Sequence, residues 1–311
     1  ISTPILEYAS VFERTLGDES DIVGKELYSF QSRSGDKLTM RPEGTAGRHR
    51  QSSIEQRSRA LPPTEILLPR THVPVRTAAE GPVSTGAFYG VCFRYANQPI
   101  YLPPQFEQFG VELFGHDHPS SDVEIIGMAW TFLKRLGLER SVQDAFDKEP
   151  FLFLQLEINS LGDLESRREY KAVLTEYLKA NVNNLSEDSV RRLTTNPLRI
   201  LDSKHPSDRA TIASSPLLNT FLSPTSRAHF DAILVGLDAL AVPYVVSPRL
   251  VRGLDYYEGT VFEFVYVGTQ EDQTEKERGL GVQQGTVLAG GRYDGLLGTM
   301  SGGKEKVPGI G

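Results

Sequence analysis

A carboxylate, a glycine and a hydroxyl stand in a row at Glu43-Gly44-Thr45, within Met40-Arg41-Pro42-Glu43-Gly44-Thr45. Such a set can hold an ammonium ion through charge-assisted hydrogen bonds. A turn with a helix cap at Thr45 would use the same residues. Further on, Gln108, Gly110 and Glu112 alternate with Phe109, Val111 and Leu113. Strand side chains alternate between faces, so the first three share one face and the apolar three the other. The apolar face is expected to pack into a core. The bare backbone at Gly110 leaves a gap between two polar groups, which a small polar ligand lying on the sheet would need. Arg94 follows Phe93 shortly before that strand; an isolated arginine is usually a solvated surface charge. Arg252 lies beside Gly253 and is followed by Tyr256 and Tyr257. A guanidinium offers five donors in a rigid fork that suits phosphate or carboxylate. A turn with a packed tyrosine pair accounts for that segment equally well. Ala289-Gly290-Gly291-Arg292-Tyr293-Asp294-Gly295 lets a ligand or a strand approach its glycines closely. It matches neither the dinucleotide nor the P-loop fingerprint, and a tight sheet turn also explains it.

Elements of both kinds must position these residues. Apolar side chains at Ile5, Ala9, Phe12 and Leu16 predict a helix over 4–16 stopped by Gly17. Residues 27–30 and 37–40 read as strands around Ser34-Gly35-Asp36. Residues 48–60 read as a polar helix and 61–84 as a loop without a period. A strand is expected over 105–115. The next helix is expected to start at Ser121, where Ser121 and Glu124 form a capping box. Its apolar stripe is Ile125, Met128, Ala129, Phe132, Leu133 and Leu136, and Gly137 ends it. Residues 151–158 read as a buried strand. From 166 to 240 the pattern is helical, with Tyr170, Val173, Leu174, Tyr177 and Leu178 in one stripe and Phe230, Ile233, Leu234 and Leu237 in another. Strands return at 261–267 and 286–289. The expected fold class is α+β, with a small helical subdomain inserted between two stretches of sheet.

The 311 residues carry a net charge of −7, which argues against a generic nucleic-acid coat while leaving room for a local basic groove. One cysteine, Cys92, excludes an intrachain disulfide framework and a multi-cysteine zinc site. No apolar run approaches the roughly 20 residues of a membrane helix, so no membrane association is expected. The chain opens with Ile1 rather than Met, which leaves an upstream targeting segment open.

In their order along the chain these motifs resemble the histidyl-tRNA synthetases of the bacterial or organellar type. Leu16-Gly17-Asp18-Glu19-Ser20-Asp21-Ile22-Val23 with Lys25-Glu26 resembles the family's first class II motif, which builds the dimer interface. Arg41 to Gly47 is similar to its histidine-binding strand end. Leu250 to Tyr257 with Thr260-Val261-Phe262-Glu263 resembles its histidine-specific motif, and Gly285 to Leu296 the approach to the third class II motif. The resemblance implies a class II aminoacyl-tRNA synthetase core: an antiparallel sheet flanked by helices, with a helical insertion. It implies core residues 1–165, an insertion over 166–243 and core again over 244–311. It further implies a histidine–tRNA ligase that activates L-histidine with ATP and passes it to tRNA(His). Glu43, Thr45 and Gln108 would hold the α-amino group, and Glu112 and Tyr257 would read the imidazole, with Gly44 and Tyr256 lining the same pocket. Arg94 would grip the ATP α-phosphate and the histidine carboxylate, and Arg252 would sit against the α-phosphate. ATP is then a substrate, Mg2+ is expected with it, a homodimer is expected, and the compartment is the cytoplasm or a mitochondrion or other organelle.

Three stretches depart from the family pattern. Residues 95–104 hold no basic residue where the family has an arginine-rich loop, and Ala96 stands where it has a glutamate. Residues 70–88 replace a short strand with a longer unpatterned stretch. The third motif's arginine and the anticodon-binding domain are not within these residues. Two other readings share the core: a histidine-sensing regulatory subunit of ATP phosphoribosyltransferase, and a synthetase-like module that binds tRNA without catalysis. Asn196-Pro197-Leu198-Arg199-Ile200-Leu201-Asp202-Ser203-Lys204 and Glu43-Gly44-Thr45 have the synthetase form.

Overall fold

The computed structural model describes residues 4–17, 20, 22–46, 84–94, 105–138, 154–254, 256–266, 285–301 and 307–311. The expected helix over 48–60 and the altered loop after Arg94 lie outside them. The chain forms two compact units: Ile1–Asp117 with Gly253–Tyr257 and Tyr293–Gly311, and His118–Arg252 with Glu258–Arg292.

In the first unit, strand β1 (Leu6–Tyr8) runs into helix α1 (Ala9–Leu16). The expected helix therefore starts five residues late. Leu6 and Tyr8 pair antiparallel with Met40 and Leu38, and this ladder overrides the local apolar spacing. Ala9, Phe12 and Leu16 are fully buried, and Gly17, at φ 83°, ends the helix. Strands β2 (Ser29–Gln31) and β3 (Lys37–Met40) form the expected hairpin, with Gly35 at φ 89° in its turn. The resulting sheet has the order β1-β3-β2. Its register places Leu6, Tyr8, Leu38, Met40 and Phe30 on one face. Leu6, Tyr8 and Phe30 are 50%, 50% and 43% exposed, whereas Glu7 and Thr39 on the other face are buried. Two polar residues thus face in at the centre of the sheet, while three apolar residues face out.

Strands β4 (Ser84–Phe93) and β5 (Gln105–Phe114) pair antiparallel over ten residues each, from Ser84↔Phe114 to Phe93↔Gln105. The unpatterned reading of residues up to 88 thus fails at its end. Gly86 and Gly90 interrupt the apolar alternation of β4, and only the pairing to β5 reveals the strand. Two short elements complete this unit, helix Leu296–Ser301 and a strand at Gly309–Ile310 that joins the other edge of β5.

In the second unit the sheet contains β6 (Leu154–Ser160), β7 (Tyr244–Val246), β8 (Thr260–Tyr266) and β9 (Thr286–Gly291), in the order β7-β6-β8-β9. Only β6 and β7 run parallel. One face carries Leu156, Ile158, Phe262 and Phe264, all buried. Helix α2 (Pro119–Arg135) covers it, with Trp130 stacked on Phe264 at 6.3 Å. This helix starts two residues before the expected capping box. His118 is the N-cap, its Nδ1 accepting from the Ser120 N–H, and Pro119 occupies the first helical position. Ile125, Ala129 and Leu133 of the expected stripe are buried, but Met128, Phe132 and Leu136 are exposed; Ile126 and Trp130 take their place in the core.

Between β6 and β7 the described residues contain helices and no strand: α3 (Leu164–Ala180), α4 (Glu187–Thr195), α5 (Asp208–Ala213) and α6 (Pro224–Ala239). Tyr170, Leu174 and Leu178 of α3 and Phe230, Ile233 and Leu237 of α6 are buried, while Val173 is exposed. Two aspartates tie these helices together. Asp163 accepts from the Ser166 N–H at the start of α3 and from Ser223 and Ser226 at the start of α6. Asp208 accepts from the Ser186 N–H and hydroxyl at the start of α4, and from Ser189 and Ser203.

Candidate functional site

In the first unit Glu43 follows the end of β3 and turns back on the start of a helix. Its two oxygens accept from the N–H groups of Thr45 (2.6 Å) and Ala46 (2.8 Å). Glu43 is 2% exposed. Burial lifts its carboxyl above the usual range, against the pull of those two bonds and of the nearby Arg94. A carboxylate in that condition gains from any cation that reaches it.

Thr45 donates its hydroxyl to Glu112 Oε1 at 2.8 Å, and Tyr293 donates its phenol to Glu112 Oε2. With its proton committed, the Thr45 oxygen faces other groups as an acceptor. Glu112 is 1% exposed. A carboxylate can accept about four hydrogen bonds, so two such partners do not by themselves exclude a ligand N–H.

Gln108 lies on the Glu112 face of β5, as the alternation predicts. Its Oε1 accepts from the Gly44 N–H at 2.8 Å and from the Cys92 thiol at 3.3 Å. The backbone N–H of Gly44 can only donate, which fixes the orientation of the amide. Burial pushes the Cys92 thiol up to about 11, so it stays protonated. The expected gap at Gly110 is filled. Phe88 stands opposite in register, and a Cβ on Gly110 or on Gly44 would lie within 2.3 Å or 2.1 Å of its ring. The two glycines make room for this ring, and not for a ligand. The expected burial of the apolar face also fails at Phe109, which is 52% exposed, although Leu113 is buried.

Tyr256, Tyr257 and Tyr293 form a buried cluster, with ring centroids 4.5 Å, 5.8 Å and 6.3 Å apart. The Tyr256 phenol is pushed well above its ordinary range by burial, then by Tyr257, Glu43 and Glu112. It is therefore a neutral donor. Arg94 donates Nε to the Pro42 carbonyl at 2.9 Å and lies over the Phe106 ring at 5.2 Å. Glu43, Gly44, Thr45, Gln108, Glu112, Tyr256, Tyr257 and Arg94 thus all belong to this unit. Two buried carboxylates, a hydroxyl acceptor and three phenols can bind a small molecule bearing an ammonium and a ring N–H. Tyr293 was not among the expected site residues, although the motif containing it was singled out.

Arg252 belongs to the second unit. It forms an ion pair with Glu263 on β8, whose other oxygen accepts from Thr286 at 2.8 Å. Elsewhere in that unit Asp122 is fully buried and pairs with Arg292 and His229. Burial alone would raise its carboxyl, but His229 and Arg292 hold it below the ordinary value. Among the described residues no group of three or more His, Cys, Asp or Glu is arranged to hold a metal ion. No described helix is long and apolar enough to cross a membrane.

A family model described as histidyl-tRNA synthetase matches residues 87–311. A histidine–tRNA ligase of Rhodospirillum rubrum is 43% identical over 315 aligned residues, which span all of this chain and 64% of that protein. The crystal structure of apo S. aureus histidyl-tRNA synthetase aligns with all of this chain and 61% of its own, at 30% identity and a TM-score of 0.64. A Bacillus halodurans structure titled as an ATP phosphoribosyltransferase regulatory subunit/histidyl-tRNA synthetase aligns with all of this chain and 70% of its own, at 23% identity and a TM-score of 0.58; it shows the fold alone. The chain spans less than two thirds of the length of that R. rubrum relative.

Proposed function

The chain belongs to the histidyl-tRNA synthetase family and has the class II aminoacyl-tRNA synthetase fold, and from that premise we propose that it is the catalytic part of a histidine–tRNA ligase. The observation that carries this reading is the buried cluster of carboxylates and phenols around Glu43, Glu112, Tyr256, Tyr257 and Tyr293. L-Histidine carries groups complementary to that cluster. Its ammonium goes to Glu43 and the Thr45 oxygen, with the Gln108 carbonyl beside them. Its imidazole, one donor and one acceptor when neutral, goes to Glu112 and Tyr257. Gly44 and Tyr256 line the site. Buried polar groups of this kind reject analogues that leave them unpaired.

In the first step a carboxylate oxygen of histidine attacks the ATP α-phosphorus, and pyrophosphate leaves. The work of the protein is positioning and charge stabilisation. We assign Arg94 to the carboxylate and α-phosphate, and Arg252 to the charge that builds on the α-phosphate. In the second step the terminal hydroxyl of tRNA(His) attacks the acyl carbon, and AMP leaves. Mg2+ is expected with ATP. The described residues offer no ready-made ligand set for it, which suits an ion held chiefly by phosphate oxygens and water.

The helical stretch within 166–243 is assigned to the insertion between core segments 1–165 and 244–311. The exposed apolar face at Leu6, Tyr8 and Phe30 supports a homodimer. Charging of tRNA takes place where translation runs, in the cytoplasm or in an organelle.

Histidine-dependent ATP–pyrophosphate exchange by the full-length protein tests the reading. Exchange is expected with histidine alone among the amino acids, and Glu112→Ala should abolish it. Histidine binding without exchange would transfer the chain to the histidine-sensor reading. Binding of tRNA with neither would favour the non-catalytic module.

A further inference from the structure

Glu263 interrupts an apolar strand, Thr260-Val261-Phe262-Glu263-Phe264-Val265-Tyr266, and its register partner on β6 is Glu157. Two carboxylates directly opposite on one sheet face repel each other. A sequence that keeps both needs a cation there, and Arg252 supplies one. Its Nη1 donates to Glu263 Oε1, and the two side chains are 19% and 15% exposed. Thr286 donates to the other Glu263 oxygen at 2.8 Å, which fixes the plane of the carboxylate. The backbone leading to Arg252 is fixed separately. Asn159, 1% exposed, donates Nδ2 to the Leu250 carbonyl at 3.0 Å, and the Leu250 N–H donates to Ser247 O at 2.9 Å. The backbone two residues before Arg252 is thus held from β6, and the Arg252 head group from β8.

We propose that Glu263 is a positioning residue for Arg252, setting the guanidinium in advance for the charge that develops on the α-phosphate. The inference rests on the ligase reading. An arginine left to itself spreads over many rotamers, and ordering it during the reaction costs free energy. A head group already clamped needs no such reorganisation, which is the condition for electrostatic stabilisation of a transition state. The guanidinium fork has five donors, so one edge can serve Glu263 while others serve an anion. Glu263 touches neither substrate nor phosphate in this scheme and acts only through Arg252.

The test is a double-mutant cycle in the full-length protein, with Glu263→Gln, Arg252→Lys and the pair. Pyrophosphate exchange gives kcat and the KM values for histidine and ATP; calorimetry gives the histidine Kd. Glu263→Gln should lower kcat about tenfold and leave the histidine KM and Kd unchanged, the scale expected for a misplaced catalytic group. In the Arg252→Lys background the same change should cost less than about twofold, because the two residues act as one unit. Independent, multiplying effects would overturn the proposal, since a role in folding alone would weaken both backgrounds equally. A rise in kcat would overturn it too, by making the ion pair a restraint. Should Glu263→Gln not fold, Thr286→Val removes only the second clamp and should show the same pattern with a loss of about twofold to threefold. A wild-type protein without exchange would defeat the ligase reading and this inference together. A wild-type protein with exchange but no coupling would defeat the inference alone.

Discussion

Glu43 accepts from two backbone N–H groups, yet its carboxyl stands above the ordinary range because burial outweighs those bonds and the pull of Arg94. Binding an ammonium reverses the balance, since the ion favours the charged carboxylate. Histidine binding by our assignment therefore releases a proton wherever Glu43 starts protonated. Affinity should fall as pH drops through the raised pKa, and the fall should begin at a higher pH than for an ordinary glutamate. Glu43→Gln keeps an acceptor for the helix start and removes the charge. Calorimetry should show it binding histidine about 30-fold more weakly at neutral pH, near the 2 kcal/mol typical of a hydrogen bond to a charged group. The imidazole of the ligand titrates in both proteins, so the difference between the two pH curves isolates Glu43. Identical curves would remove Glu43 from the ammonium site. At this scale much of the cluster around Glu43 and Glu112 was legible. Glu43, Gly44 and Thr45 are adjacent in sequence, and strand alternation places Gln108 with Glu112. Tyr293 was not legible, because its hydrogen-bond partner Glu112 lies 181 positions away and nothing in a glycine-rich turn announces that pairing.

Asp208 shows what one side chain can do for several elements. It caps α4 through Ser186 and also holds Ser189 and Ser203, while itself standing at the first turn of α5. Burial works to raise its carboxyl, but the hydroxyl and N–H donors hold it down to about 2. The folded form thus binds this proton less readily than the unfolded chain. Its stabilisation is complete above the unfolded value near 4 and is lost as pH falls toward 2. Asp208→Asn should lower the melting temperature at neutral pH and flatten its decline with acid between about pH 4 and pH 2. A parallel decline in both proteins would show that other carboxylates govern the acid response. Element existence was largely legible here; element boundaries were not. Helix α2 starts early because His118 and Pro119 outcompete the Ser121–Glu124 box. Helix α1 starts late because β3 recruits the residues before it. Strand β4 escaped sequence reading because Gly86 and Gly90 break its alternation, Gly90 lying against the Arg41 side chain. For α1 and β4 a neighbour distant in sequence decided the outcome; for α2 a stronger local cap did.

At the scale of the whole molecule, the sheet β1-β3-β2 inverts the usual arrangement. Glu7 and Thr39 are buried, while Leu6, Tyr8 and Phe30 are about half exposed. Three large apolar side chains on one small sheet cost free energy in water, since burying the exposed half of each would gain roughly 1 kcal/mol. In the homodimer we propose, a second copy of the chain would meet this need by a closed interface in which the same patch serves both subunits. The sequence resemblance placed the interface motif at residues 16–26; the structure shows the exposed apolar surface on the adjoining strands. A charge at the centre of such a patch is desolvated on association without a partner, which is the costly case. Tyr8→Glu should therefore raise the dimer dissociation constant at least about 100-fold in sedimentation velocity, the effect of losing an aromatic anchor at an interface centre. Tyr8 projects from the sheet face opposite Glu7 and Thr39, so the monomer should keep its melting temperature and its far-ultraviolet dichroism. A wild-type protein that sediments as a monomer at micromolar concentration would refute the dimer. A Tyr8→Glu variant that dimerises as tightly as wild type would move the interface elsewhere and leave this apolar face to a different occupant.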